Sequence, residues 1–146
     1  MTAIPDLQSF VYRHVAAFGF DPSLPGQIDA VAVGWLGSTV PRSGQLTSAQ
    51  LAVLERVVAD RHVDTGELGY HTCEICLAEV SGGTEQHSRV ATIHEGRGDA
   101  VLCHGATYYV MPSMILHYVR EHEYLPPDEF LFALDQVNRG LRQGSP

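Results

Sequence analysis

The 146-residue sequence has no apolar run approaching the roughly 20 residues that a helix needs to cross a bilayer. Residues 1–5 contain no basic residue, and Asp6 follows at once, so no secretory signal is predicted. We therefore expect a cytoplasmic protein without a membrane-spanning segment.

Positive charge is also scarce. Nine Lys and Arg residues stand against 17 Asp and Glu residues, which gives a formal net charge of −8 at pH 7. This balance argues against electrostatically driven binding to nucleic acid or to an anionic membrane. An acidic surface can meet a basic protein partner, although the same charge is also ordinary for solubility.

Cysteine is limited to three residues, which argues against a disulfide framework in a cytoplasmic protein and favours metal or thiol chemistry. Cys73 and Cys76 form a C-x-x-C motif, and His117 and His122 follow at a spacing typical of paired histidine ligands. Two thiolates and two imidazoles are a donor set that zinc accepts in a tetrahedron. The sequence therefore predicts a Zn²⁺ site made by Cys73, Cys76, His117 and His122.

The two histidines differ in how well they suit this site. At about 100° per residue, His117 and His122 lie about 140° apart around an ideal helix. Both reach one ion only if the helix end tightens or unwinds, which Pro126-Pro127 favours. His122 continues the inward apolar stripe of the predicted helix and is the stronger candidate. His71 or Cys103 could replace His117.

A redox dithiol of Cys73 and Cys76 is one alternative, but neither a thioredoxin-like βαβ pattern nor a helix starting between the cysteines is predicted. A catalytic zinc would need an open position and a general base. Neither H-E-x-x-H nor H-x-E with P-C-x-x-C occurs, and Glu74 is better explained as a solvated turn residue. We expect a structural zinc, with an enzyme using an open zinc or the dithiol as the alternative.

Hydrophobic periodicity predicts one α+β domain over residues 1–140 and a frayed tail over 141–146. Thr47 and Gln50 predict a capping box at the start of the second helix. The lone tryptophan, Trp35, is expected in the core rather than at a binding surface. The predicted helices cover 5–20, 48–60, 112–122 and 128–138; the predicted strands cover 30–36 and a small antiparallel meander of 77–80, 88–94, 100–104 and 107–110. The zinc site would tie this meander to the helix that reaches His122.

Three segments together resemble a family of small bacterial proteins of unknown function: VGWL at 33–36, GYHTCEIC at 69–76 and HYVREHEYLPP at 117–127. The resemblance extends from about residue 30 to residue 132 and implies one domain with a Cys/His centre, without implying an activity. With a structural metal, the working surface would bind protein, so an adaptor or immunity-like role against a basic partner is the functional expectation.

Overall fold

The computed structural model describes residues 3–12, 28–63, 71–81, 95–96 and 98–143. Strands and helices are mixed along this chain, so the predicted α+β class is confirmed. The strands are β1 (Ser9–Tyr12), β2 (Ile28–Ala32), β3 (His62–Val63), β4 (His71–Thr72), β5 (Glu95–Gly96), β6 (Asp99–His104) and β7 (Thr107–Pro112). The helices are α1 (Ser48–Arg61), α2 (Glu74–Ser81), α3 (Ile115–Glu121) and α4 (Asp128–Gln143).

Five strands form a mixed sheet in the order β1-β2-β7-β6-β3. β6 and β7 are a hairpin with six residue pairs, and Gly105 takes the left-handed conformation in its turn, with φ at 61°. β2 lies parallel to β7, whereas β1 and β3 are antiparallel to their neighbours. β4 and β5 pair separately. The hairpin confirms the strands predicted at 100–104 and 107–110.

Two element predictions are wrong. Part of the helix predicted over 5–20 is strand β1, because four of its residues pair with β2; residues 13–20 lie outside the described part of the chain. The strand predicted at 77–80 is the second half of α2, because the C-x-x-C motif starts a helix that continues through it. The strand predicted at 88–94 also lies outside the described residues.

The sheet has an apolar side chain layer on each face, because alternate residues of a strand point to opposite faces. On one face, Tyr109 and Met111 of β7 belong to the main core with residues of α1, α3 and α4. On the other face, Val110 belongs to a smaller cluster that includes Trp35. Trp35 is 5% exposed, and its Nε1–H donates to the Val110 carbonyl at 2.8 Å. It is therefore a core residue, as predicted.

The conformation and surroundings of position 34 require the glycine that precedes this tryptophan. Its φ is +79°, and a Cβ there would lie 3.0 Å from the Ile115 side chain. Its N–H donates to the Asp6 carboxylate at 3.0 Å. The missing side chain thus lets α3, which ends at the cluster of cysteine and histidine side chains, pack directly against the segment after β2.

The predicted capping box is present at the start of α1. The Gln50 N–H donates to the Thr47 hydroxyl at 3.1 Å, and the Thr47 N–H donates to the Gln50 side-chain oxygen at 2.9 Å. Farther along, Glu55 of α1 forms an ion pair with Arg120 of α3. No helix within the described ranges combines the length and the apolar character needed to span a membrane.

Candidate metal centre

The two cysteines lie at the start of α2. Cys73 precedes the helix, and Cys76 belongs to its first turn. The Cys76 N–H points at the Cys73 sulfur, with a distance of 3.4 Å, and the Leu77 N–H donates to the Cys73 carbonyl at 3.0 Å. Cys73 therefore caps the helix through its sulfur, in the way that a serine or aspartate oxygen does elsewhere. The expectation that no helix starts between the cysteines is wrong.

The two histidines lie at the end of α3, where the helix unwinds. α3 ends at Glu121, and His122 is already non-helical, with φ at −120° and ψ at 11°. Glu123 then takes the left-handed conformation, with φ at 51°, which turns the chain back on itself. The His122 N–H makes the last helical bond of α3, to the Tyr118 carbonyl at 3.1 Å, and the turn brings the Tyr124 N–H to the same carbonyl, also at 3.1 Å. The helix therefore ends at His122 itself, whose non-helical φ turns its side chain away from the direction that an ideal helix would give it.

All four predicted side chains meet at one point. The Nε2 atoms of His117 and His122 lie 3.2 Å apart, with their rings at 79° to each other. The Cys76 sulfur lies 3.3 Å from each of these nitrogens. The Cys73 sulfur lies 3.5 Å from the His122 nitrogen. The four donor atoms are all within 4.8 Å of one another, so the cluster could hold a metal ion.

Four of the six distances between these atoms are close to the edges of a zinc tetrahedron. With Zn–S at about 2.3 Å and Zn–N at about 2.0–2.1 Å, the N···N edge is about 3.3 Å and each S···N edge is about 3.6 Å. The four distances run from 3.2 to 3.5 Å. Hydrogen bonds alone explain the arrangement less well, because a neutral imidazole carries one N–H that can point at only one neighbour.

Burial separates the two cysteines chemically. Cys73 is 0% exposed, whereas Cys76 is half-buried. Burial, together with the neighbouring Cys76 side chain, raises the pKa of the Cys73 thiol to about 11. A thiol with this pKa is protonated at neutral pH and is a poor nucleophile, whereas a bound metal ion stabilises the thiolate. Helix α2 thus resembles the setting of a redox dithiol, but the protonation of its first cysteine does not suit one.

The other sequence candidates are placed differently. Cys103 is exposed on β6 and lies outside the cluster. His71 belongs to β4, and its side chain is not among those described. Glu74 is exposed at the start of α2, so it is a helix residue rather than a turn residue. Within the described part of the chain, His117 is therefore the fourth residue that joins Cys73, Cys76 and His122.

An open cleft of about 300 Å³ lies beside the cluster. It follows one face of α3 and is lined by Ser113, Leu116, His117, Arg120 and Glu121. His117 thus borders both the cluster and a space that a small molecule can enter. Sequence reasoning did not find this cleft, because its members share no motif and only the helix places them on one face.

Comparison with known proteins identifies a family. No curated protein and no solved structure matches the chain. A family model described as "Domain of unknown function (DUF7919)" matches residues 2–135. This match confirms the expected membership in a family whose function is unknown, and it covers both pairs of candidate ligands. The chain therefore belongs to the DUF7919 family.

Proposed function

We propose that Cys73, Cys76, His117 and His122 form a structural zinc site in a protein-interaction domain. The observation that carries the metal proposal is the convergence of four side-chain donors at tetrahedral spacing. Two sulfur and two nitrogen donors suit zinc, because this borderline-soft ion binds both thiolate and imidazole and accepts four of them in a tetrahedron. The ion would join the start of α2 to the end of α3.

A structural role is favoured over a catalytic one because four protein donors complete a tetrahedron. A catalytic zinc keeps one position for water or substrate. Here the two pairs of donors come from segments more than 40 residues apart, with Cys76 and His117 separated by 41 positions. A metal that bridges such distant segments stabilises the folded state, since the unfolded chain does not hold the four donors together.

Metal analysis of the purified chain tests this proposal, with Cys76→Ser as the variant and Cys103→Ser as the matched control. We expect about one zinc per chain in the wild type and in Cys103→Ser, because Cys103 lies outside the cluster. Cys76→Ser should lose zinc and unfold at a lower denaturant concentration. A metal-free wild type with a readily cycled Cys73–Cys76 disulfide would contradict the proposal and support the redox alternative.

The interaction role rests on the net charge of −8 and on the absence of a recognised catalytic motif in the sequence. We propose a basic protein partner, in an adaptor or immunity-like role. Such a complex should weaken as salt is raised, because exposed charges are screened over about 10 Å at 0.1 M ionic strength. If a partner is isolated and its affinity for this protein does not change with salt concentration, the interaction is not driven by charge.

The cleft beside His117 favours a second candidate, an open metal site with enzymatic activity. Absorption of the Co²⁺-substituted protein distinguishes the two, because cobalt reports the number and type of its ligands. A spectrum that is unchanged by added azide supports the closed structural site. A spectrum that azide shifts shows an exchangeable position and supports the enzyme.

A further inference from the structure

Residues 3–8 lie beside the end of β2 and are bonded to it. The Leu7 N–H donates to the Ala32 carbonyl at 2.8 Å, and Leu7 takes the left-handed conformation, with φ at 67°. Leu7 is exposed, so burial of its own side chain does not explain this conformation. Strain of this kind in a non-glycine residue persists only where the surrounding contacts impose it. The contacts in question are those of the preceding residue, Asp6.

The Asp6 carboxylate joins two parts of the fold that flank helix α3. One of its oxygens accepts the Gly34 N–H at 3.0 Å, and the other accepts the Tyr124 hydroxyl at 2.7 Å. Gly34 packs against Ile115, the first residue of α3. Tyr124 is 0% exposed and stands two positions after His122. The segment that carries both candidate histidine ligands is therefore held at each end through Asp6.

Tyr124 is also part of the turn that follows α3. Its N–H donates to the Tyr118 carbonyl, which accepts the His122 N–H as well. The hydrogen bond to Asp6 thus fixes the side chain of a residue whose backbone shares an acceptor with His122. Hydrogen bonds to an ionised carboxylate are shorter and about twice as strong as those between neutral groups. This bond is therefore well suited to hold the turn in place.

We propose that Asp6 is a positioning residue of the metal site, which acts through Tyr124 to hold His122 beside the other three donors. This inference rests on the proposed metal function. His122 is the donor most sensitive to such support, because its Nε2 takes part in three of the four short distances within the cluster. A small displacement of this ring would lengthen all three. Residues that orient metal ligands without touching the ion raise its affinity.

Tyr124→Phe in the full-length protein tests this proposal, because it removes only the hydroxyl that Asp6 accepts. In a Co²⁺ absorption titration we expect about fivefold weaker binding than in the wild type, at the lower end of usual coupling between sites. Tyr109→Phe is the matched control, because it also removes a phenol–carboxylate hydrogen bond of 2.7 Å, in this case to Glu129 of α4. Both variants should lose stability in denaturant, but Tyr109→Phe should keep the wild-type affinity for Co²⁺.

Asp6→Ala tests the same link from its other side. It should weaken Co²⁺ binding at least as much as Tyr124→Phe does. Adding Tyr124→Phe to Asp6→Ala should cause no further loss, because both changes break the same bond.

Two results would overturn the role of Asp6 and leave the zinc site standing. One is a Tyr124→Phe variant that binds Co²⁺ as tightly as Tyr109→Phe, which is what a merely structural hydrogen bond would give. The other is a double variant in which the losses of Asp6→Ala and Tyr124→Phe multiply. If the wild type itself binds neither Co²⁺ nor Zn²⁺, the proposed metal function is overturned, and the role of Asp6 with it.

Discussion

Replacing Glu123 by glycine should stabilise the protein, although the same change two residues earlier should destabilise it. Glu123 has φ at 51°, where an L-residue is strained and glycine is not. It is exposed, so the substitution removes little packing. Glu121 is also exposed, but it is the last residue of helix α3. Glu121→Gly is therefore a matched control: it makes the same change at an exposed glutamate, but in a helical backbone conformation.

The size of both effects follows from the backbone. The left-handed conformation costs an L-residue about 1–2 kcal/mol, and glycine removes this cost. Glycine also loses more conformational entropy on folding, which offsets about 0.5–1 kcal/mol of the gain. Glu123→Gly should thus raise the free energy of unfolding by about 0.5–1 kcal/mol. Glu121→Gly should lower it by about 1 kcal/mol, as glycine does within a helix. For a chain of this size, 1 kcal/mol corresponds to about 2–4 °C in Tm.

Thermal unfolding of the metal-loaded proteins measures these shifts, and a Co²⁺ titration measures the effect on the site. Glu123→Val should weaken Co²⁺ binding, because a β-branched residue resists the left-handed conformation of the turn that directly follows His122. Glu123→Gly should leave that binding intact. If both glycine variants lower Tm equally, the turn at Glu123 does not hold the strain that the structure assigns to it.

Three further predictions concern the parts of the fold that support the site. Gly34→Ala should cost about 1–3 kcal/mol in denaturant unfolding, because its φ is +79° and its Cβ would lie 3.0 Å from Ile115. Thr47→Ala should cost about 1 kcal/mol by removing the cap of α1, while Thr47→Ser should retain most of the stability. Arg42 lies 2.6 Å from Asp128 and lowers the pKa of that carboxyl. The stabilisation by this ion pair is therefore present above the ordinary aspartate pKa and is lost as the pH falls through the lowered pKa of Asp128. In an NMR titration, Arg42→Gln should return the Asp128 pKa toward its usual value.

The site was predictable from residue types because its donors are chemically distinctive. Cys73, Cys76, His117 and His122 were the predicted ligands, and the structure brings all four together. That they bind zinc stays a prediction. The end of α3 near His122 was expected from Pro126-Pro127, but the left-handed turn after it was not predictable, because glutamate at position 123 is not a residue that favours positive φ. Its conformation follows from the tertiary contacts around it.

The errors in secondary structure also have physical causes. Residues 9–12 carry apolar side chains at a spacing that also fits a helix, but pairing with β2 decides their conformation. This pairing depends on a distant segment, which no local pattern reveals. Residues 77–80 are apolar enough for a strand, yet they continue a helix that the Cys73 sulfur caps at its start. Serine, threonine, aspartate and asparagine are the usual capping residues, so a cysteine gave no such signal.

The parallel pairing of β2 with β7 has a consequence for the order in which the chain folds. The hydrogen bond from Trp35 to the Val110 carbonyl joins residues 75 positions apart, whereas the β6–β7 hairpin closes through a short turn. Closing a long loop costs more entropy than closing a hairpin, so we expect β6 and β7 to pair first. During synthesis, β1 and β2 then leave the ribosome long before their partner strand exists. Until β7 emerges, their unpaired edge is open to association with other chains.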